Sequence, residues 1–257
     1  MSSIKLKDRI DSYIDSSNYK LLSKLPVITI VNGKSFHKIT GLLDKPFSKQ
    51  FSDIMLSTAL KLCIEIEGVI FAYQFSDEIV LISRNDQSIE TNPWYDNRIQ
   101  KICSATASIA TQHFNKTIYS SDINLSGDAL FISQVFVVPN IAEATNTFIY
   151  KQQQNFLTSI QLACYYELLK KYDKNTIREM LSDLSIDGKI DLLKQEADVD
   201  FNDYPMAFRR GNAIYKSPKV IDGVIKNKWV VNDELPIFTK DTSFLSQLFK
   251  MGSDLYR

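Results

Sequence analysis

The chain has 257 residues, 44% hydrophobic and 23% charged, and its 30 basic and 30 acidic side chains cancel. Such a composition describes a globular protein able to bury a substantial core, as one large domain or a domain with an appendage. It excludes a global field for polyanion binding. No run approaches the ~18 apolar residues of a membrane span, and the N-terminus MSSIKLKDRIDSYIDSS lacks an apolar signal core, so a cytoplasmic protein without membrane attachment is expected.

Residues Ile4 to Ser23 read as a peripheral amphipathic helix, with Ile4, Ile10, Tyr13 and Ile14 apolar. Pro26 then opens the β-branched run Val27-Ile28-Thr29-Ile30-Val31, a central strand that ends at Asn32-Gly33. From Pro46, apolar residues at helical spacing (Phe51, Ile54, Met55, Leu62, Ile66) predict a helix up to Gly68. Gly68 to Ser83, GVIFAYQFSDEIVLIS, reads as a tight hairpin of two apolar strands meeting at Ser76-Asp77-Glu78. No Asn-Gly or Asp-Gly marks this turn, so two carboxylates occupy places usually filled for backbone geometry. Alone, such a tip reads more readily as an ordinary solvated turn, because acidic turns are common.

A polar loop from Asn85 to Asn97 precedes a second helix, Arg98 to Phe114, and Ala129 to Val138 reads as a fourth strand stopped by Pro139. Strand, helix, hairpin, helix, strand is the split β-α-β pattern of a ferredoxin-like antiparallel sheet, and the expected fold class is α+β. That topology sets the first strand beside the third, so Asn32, the Gly33 carbonyl, Asp77 and Glu78 converge as an oxygen-rich cluster suited to magnesium and phosphates. Ile141 to Tyr172 is helical in pattern but broken around Gln152 to Asn155, and the acidic stretch Asn175 to Asp203 reads as a lid or spacer. Pro205 to Val230 carries Arg209, Arg210, Lys216, Lys219, Lys226 and Lys228 against Asp222 alone, which suits either a polyanion or a solvated face. Trp229 to Val231 and Leu235 to Phe238 read as short returning strands, and Phe244 to Phe249 as a last amphipathic turn. Cys63, Cys103 and Cys164 are widely spaced within helical patterns and read as reduced core thiols. With His37 and His113 the only histidines, zinc and serine-hydrolase chemistry are disfavoured.

VNGKSFHKIT, KPF at Lys45 to Phe47, AYQFSDEIVL, WYDNRIQKICSATASIATQHFN, a mid-helix KQQ, FNDYPMAFRRGNAIYK and ELPIFTKD occur in one order over nearly the whole chain. In this the chain resembles the tRNA-His guanylyltransferases, and more closely their bacterial-type relatives that repair tRNA 5′ ends. The resemblance implies a polymerase-palm-like domain over 1–140 with its N-terminal helix, and a helical, basic, tRNA-binding region over 141–257. It implies 3′-to-5′ nucleotide addition to tRNA, ATP or GTP as substrate, two-magnesium phosphoryl transfer, and a homotetramer or a hetero-oligomer with a paralogue.

By the same resemblance Ser76, Asp77 and Glu78 are catalytic, and Asp77, Glu78 and the Gly33 carbonyl bind metal with Asn32 in a substituted ligand position. Lys34, Ser35, Phe36 and His37 would contact the nucleotide, and Lys151, Arg209, Arg210 and Lys216 the tRNA. Several departures fall on the family's active-site places. Asn32 replaces an aspartate and Ile30 an arginine; Ile132 and Gln134 replace an acid and a base of the fourth strand; Gln154 replaces a further carboxylate. Two readings follow: a magnesium-dependent tRNA nucleotidyltransferase, or a catalytically degenerate relative that binds tRNA or nucleotide as a partner or regulator. A palm-like nucleotidyl cyclase would fit the hairpin but not the C-terminal motifs.

Overall fold

The computed structural model describes residues 5–88, 90–221 and 224–254; Ile4 and Asp222, both named above, lie outside them. In chain order they form α1 (Leu6–Ser16), β1 (Val27–Gly33), a single turn α2 (Phe36–Ile39), α3 (Lys49–Glu65), β2 (Val69–Phe75), β3 (Glu78–Ser83), α4 (Ile99–Tyr119), β4 (Phe131–Val137) and α5 (Ile141–Leu168). Then follow α6 (Lys174–Leu181), α7 (Ile186–Ala197), α8 (Met206–Arg210), β5 (Asn212–Ile221), β6 (Val224–Asn232) and α9 (Ser243–Asp254). The strands make one antiparallel sheet in the order β4-β1-β3-β2-β5-β6. Its first four strands have the split β-α-β order, and β5 and β6 continue the sheet beyond β2.

Both faces of the central strands are covered, as their near-continuous apolar runs require. Val31, Ala72, Ile79 and Leu81 face α3 and α4, where Met55, Leu62, Ala110 and Phe114 are buried. Ile28, Ile30, Val80 and Ile82 face the other way, into a cluster with Phe148 of α5 and Leu245 and Phe249 of α9. A register shift between Val69 and Phe71 puts Ile70 and Phe71 together in this second cluster, as a β-bulge does. Phe71 then meets Phe148 and Phe249 edge to face, and those two pack tilted on each other, with ring centroids 5.0–5.5 Å apart.

Several expectations need correcting. The N-terminal helix ends at Ser16 and buries none of its residues. Helix α3 begins at Lys49, three residues after Pro46, because the Ser48 hydroxyl caps it by accepting from Phe51 N. Helix α5 runs unbroken through Gln152 and Asn155: both are buried, and their amides satisfy distant groups instead of ending the helix. Gln152 Nε2 donates to Pro236 O (3.0 Å) and Arg210 O (3.3 Å), its Oε1 accepts from Phe238 N (2.7 Å), and Asn155 Nδ2 donates to Tyr73 OH (2.9 Å). This is why Leu235 to Phe238 is no strand. Pro236 has no N–H for a ladder, and the buried backbone here is satisfied by Gln152 and by Arg210 Nη1, which donates to Leu235 O at 2.9 Å. Nor is Asn175 to Asp203 a spacer: Ile177, Leu181, Leu193 and Phe201 bury with Ile160, Ala163 and Leu168 of α5 in a third cluster. Asp173 and Ser185 cap α6 and α7.

Gln152→Leu is expected to cost about 2–4 kcal/mol, since it strands a buried carbonyl and a buried N–H without partners. Urea unfolding of the two proteins measures this, and a loss below ~1 kcal/mol would remove Gln152 as the strut of the C-terminal layer.

Candidate active site

The β1–β3 register runs from Val27↔Ser83 to Asn32↔Glu78, so the end of β1 meets the tip of the β2–β3 hairpin. Gly33 N donates to the Asp77 carbonyl at 3.0 Å, which brings Asn32, Gly33, Ser76, Asp77 and Glu78 into one patch. Gly33 is required by packing: a Cβ there would lie 2.0–2.5 Å from the Phe36 ring. Phe36 is only 4% exposed and packs on Phe114 and Phe131 with centroids 5.4 and 5.1 Å away. It therefore anchors the loop after β1 in the core while also lining a cleft.

The hairpin turns through Ser76 and Asp77, with Phe75 paired to Glu78. Ser76 takes φ +49°, a left-handed conformation that its Cβ disfavours. A buried amide relay holds it: Asn212 Nδ2 donates to Gln74 Oε1 (2.8 Å), and Gln74 Nε2 donates to Ser76 O (2.9 Å). Burial pushes the Asp77 carboxyl above the ordinary aspartate range; its own backbone N–H and the Ser76 hydroxyl oppose the rise, and the Glu78 carboxylate adds to it. Glu78 is ion-paired: Lys151 Nζ of α5 donates to its Oε2 at 2.7 Å, with the two side chains only 17% and 22% exposed.

Beside Asp77 a cleft of ≈ 430 Å³ opens between the loops after β1 and α2 and the helices α5 and α8. Gly33, Ser35, Phe36 and His37 line it together with Lys45, Tyr166 and Phe208. The Lys45 ammonium sits over the Tyr166 ring, 5.6 Å from its centroid, and partial burial pulls it below the ordinary lysine range. Asp44 adds a carboxylate at the exposed rim.

The other residues singled out from sequence fall elsewhere. Lys34 is exposed, with its backbone N–H donating to Leu130 O at 2.7 Å. Lys151 reaches Glu78. Arg209 donates to Tyr204 O (2.8 Å) and Asn202 Oδ1 (3.3 Å), and Arg210 to Leu235 O, so one guanidinium group braces the turn before α8 and the other the segment after β6. Lys216 lies on β5 over the Trp229 ring, 5.1 Å from its centroid. Sequence reasoning missed Lys45, Gln74 and Asn212 as site residues. The KPF motif was the signal for Lys45, and Gln74 inside the otherwise apolar β2 was the signal for the relay.

Among the described residues no group of three His, Cys, Asp or Glu side chains is placed to hold a metal ion. With Glu78 neutralised and Asn32 uncharged, the donor set at the hairpin tip is the Asp77 carboxylate, the Gly33 carbonyl and the Asn32 amide. Such a set fits a single hard cation that shares its shell with ligand phosphates; it does not fit a two-cation centre built on protein carboxylates. Charge balance gives a signed test: Lys151→Met leaves Glu78 uncompensated and should raise the Asp77 pKa further, whereas Glu78→Gln removes a like charge and should lower it. Carboxyl-carbon NMR titration of Asp77 reads both, and shifts of the same sign would mean that the Glu78 charge does not reach Asp77.

The sequence model described as tRNAHis guanylyltransferase matches residues 8–139, more than half of the chain. A probable tRNA(His) guanylyltransferase of Dictyostelium discoideum is 25% identical over 205 residues, 77% of this chain and 78% of that protein. A bacterial tRNA(His) guanylyltransferase-like protein solved in complex with ATP is 28% identical and superposes with a TM-score of 0.83 over 95% of this chain and 98% of its own. In complex with GTP the corresponding values are 27% and 0.76, with the same coverage. With the palm-type sheet, the Ser-Asp-Glu hairpin beside its cleft and these matches, the chain belongs to the tRNAHis guanylyltransferase family.

Proposed function

We propose that the protein is a nucleotidyltransferase that adds nucleotides to a tRNA 5′ end in the 3′-to-5′ direction, with ATP or GTP bound in the cleft beside Asp77. The observation that carries this reading is the coincidence, at one sheet end, of a carboxylate with no ion pair among the described residues, an exposed backbone turn and a cleft walled by Lys45. Asp77 and the Gly33 carbonyl, with Asn32 as a neutral neighbour, would hold a magnesium ion. That ion, when bound, supplies charge neutralisation at the phosphates.

The chain's own residues do the rest. Lys45, steadied on Tyr166, presents a cation to the polyphosphate; Ser76 shapes the turn that aims Asp77; Phe36 and Phe208 exclude water from the cleft wall. Glu78, bound to Lys151, positions the hairpin and leaves Asp77 to contact the cation alone. The exposed Lys219, Lys226 and Lys228 along β5 and β6, with Lys216 beside them, form the phosphate-facing side for tRNA, while Arg209 and Arg210 brace the backbone that leads into β5.

A second reading, a family member that binds tRNA or nucleotide without catalysis, is favoured by the weak donor set: one ionised ligand where two-metal transfer needs several. One substitution separates the two. If the protein is an enzyme, Asn32→Asp should raise magnesium-dependent incorporation of labelled nucleotide into a 5′-truncated tRNA by about tenfold, one added charge strengthening the site by roughly 1.4 kcal/mol, and Asp77→Ala should abolish it. Incorporation that is absent with and without Asn32→Asp establishes the binder, and activity surviving Asp77→Ala places the chemistry elsewhere. For the RNA surface, changing Lys219, Lys226 and Lys228 to Gln should reduce the slope of log K against log salt by about 0.9 for each phosphate no longer neutralised. An unchanged slope in filter-binding titrations would remove the hairpin from the tRNA surface.

A further inference from the structure

Helix α1 has 11 residues, and every one of them is exposed. Its apolar residues are nevertheless patterned. Leu6, Ile10, Tyr13 and Ile14 recur at positions i, i+4, i+7 and i+8, one stripe whose members stand 64%, 44%, 62% and 61% exposed. A stripe of this kind ordinarily faces a core, and this one belongs to none of the chain's hydrophobic clusters.

The helix also lacks what would stabilise it alone. Its 11 residues fall short of the ~12–15 at which an isolated helix is even marginal in water, and Lys5 at its start gives no side-chain cap. Its charges oppose the macrodipole: Lys7 and Arg9 outnumber Asp8 in the first turn, and the last turn carries Asp15 and no base. Lys7 and Asp11 lie one turn apart on one flank of the stripe, and among the described residues they enter no ion pair.

The exit of the helix, by contrast, is held firmly. Ile99 N donates to Tyr19 O (3.0 Å), Leu21 N donates to Asn97 O (2.9 Å), and Lys20 pairs with Asp96. Asn97 Nδ2 donates to Leu22 O (3.3 Å), and Asn97 Oδ1 accepts from Asn85 Nδ2 (3.3 Å). The turn that receives these bonds runs through Tyr95, Asp96 and Asn97 with φ of +50°, +55° and +57°. Three consecutive non-glycine residues in this region persist only where their surroundings fix them. The stripe is therefore carried on an anchored base.

We propose that α1 is a self-association surface: it pairs, antiparallel, with α1 of a second copy of this chain about a two-fold axis at Ile10. The charges select this occupant. Before Ile10, Lys5, Lys7 and Arg9 against Asp8 leave an excess of two positive charges; after it, Asp11 and Asp15 supply two negative ones. Reversed on itself, the helix sets its basic half against an acidic half and aligns the two macrodipoles antiparallel, whereas a parallel pair sets like on like. With the axis at Ile10, Leu6 of one copy lies level with Ile14 of the other. Lys7 then lies about 3 Å along the axis from the other copy's Asp11. The contact is isologous and closes at two copies. It draws on none of the residues assigned to nucleotide or tRNA and does not depend on the nucleotidyltransferase reading.

Cross-linking reads the geometry. In the full chain with Cys103→Ser, where Cys63 and Cys164 are buried, Leu6→Cys and Ile14→Cys proteins are oxidised separately and as an equimolar mixture, one of them mass-labelled. The mixture should yield disulfide-linked pairs of one chain of each kind. Leu6→Cys alone should yield about tenfold less, because its two thiols would stand about 12 Å apart along the axis, beyond disulfide reach. Sedimentation equilibrium reads the energetics. Lys7→Glu and Asp11→Lys, both at exposed positions, should each weaken self-association about tenfold, and mixing the two variants should restore it, since each then meets its opposite charge. Cross-linking of Leu6→Cys alone as strong as in the mixture would mean a parallel pair and overturn the proposal. So would a chain that sediments as a monomer without cross-linking, which leaves the stripe to a different protein, or self-association that neither charge reversal weakens, which puts the contact on another face.

Discussion

The pairing of β1 with β3 is the constraint on which the rest of the molecule depends. Ile28 and Ile30 on one face of β1 and Val31 on the other are all buried, in separate clusters. A slip of one residue would exchange the two faces. The register that satisfies both cores is also the one that sets Asn32 opposite Glu78. The site geometry is therefore inherited from core packing, and the left-handed Ser76 turn is tolerated because the strands on either side leave it no alternative.

Charge at that sheet end is set by a helix from the other layer. Glu78 is largely buried, and removing its partner would leave an uncompensated charge, a loss larger than the net worth of the intact pair. Lys151 is thereby held, and its neighbour Gln152 grips Pro236 and Phe238. A continuous path runs from the hairpin tip through α5 to the irregular segment after β6. In that setting the neutral residues at Asn32, Ile132 and Gln134 are consequential, because the register places Ile132 directly across from Asn32. Ile132 is 54% exposed, so an apolar side chain borders the place where a cation would sit.

The four palm strands, their order and the meeting of Asn32 with the hairpin were legible because short, near-continuous β-branched and aromatic runs between glycine, proline and polar knots carry that information locally. The C-terminal part was not, for the same reason. The interruption at Gln152 to Asn155 looks like a helix end in one dimension, and only the packed structure shows that those amides face Phe238 and Tyr73. Residues 175–203 look unpatterned because their apolar side chains meet α5 from three short pieces, each below the length at which a period declares itself. The basic segment was legible as charge but not as geometry: Arg209 and Arg210 brace backbone, while the lysines of β5 and β6 stand exposed.

The two amide relays share one logic at opposite ends of the sheet. Each starts at a backbone carbonyl, Ser76 O or Leu22 O, that can only accept. Each passes through a fixed amide and ends in a buried oxygen, Asn212 Oδ1 or Asn85 Oδ1, that has no hydrogen-bond partner among the described residues. Direction is imposed from the backbone, so neither oxygen can become a donor without breaking a buried hydrogen bond. Internal contacts of this kind are short-ranged and little affected by salt, whereas the exposed lysines of the β5–β6 hairpin act over a Debye length and are screened by it. Each relay thus fixes the loop at its own end of the sheet: the first the hairpin tip that carries Asp77, the second the turn through Tyr95, Asp96 and Asn97.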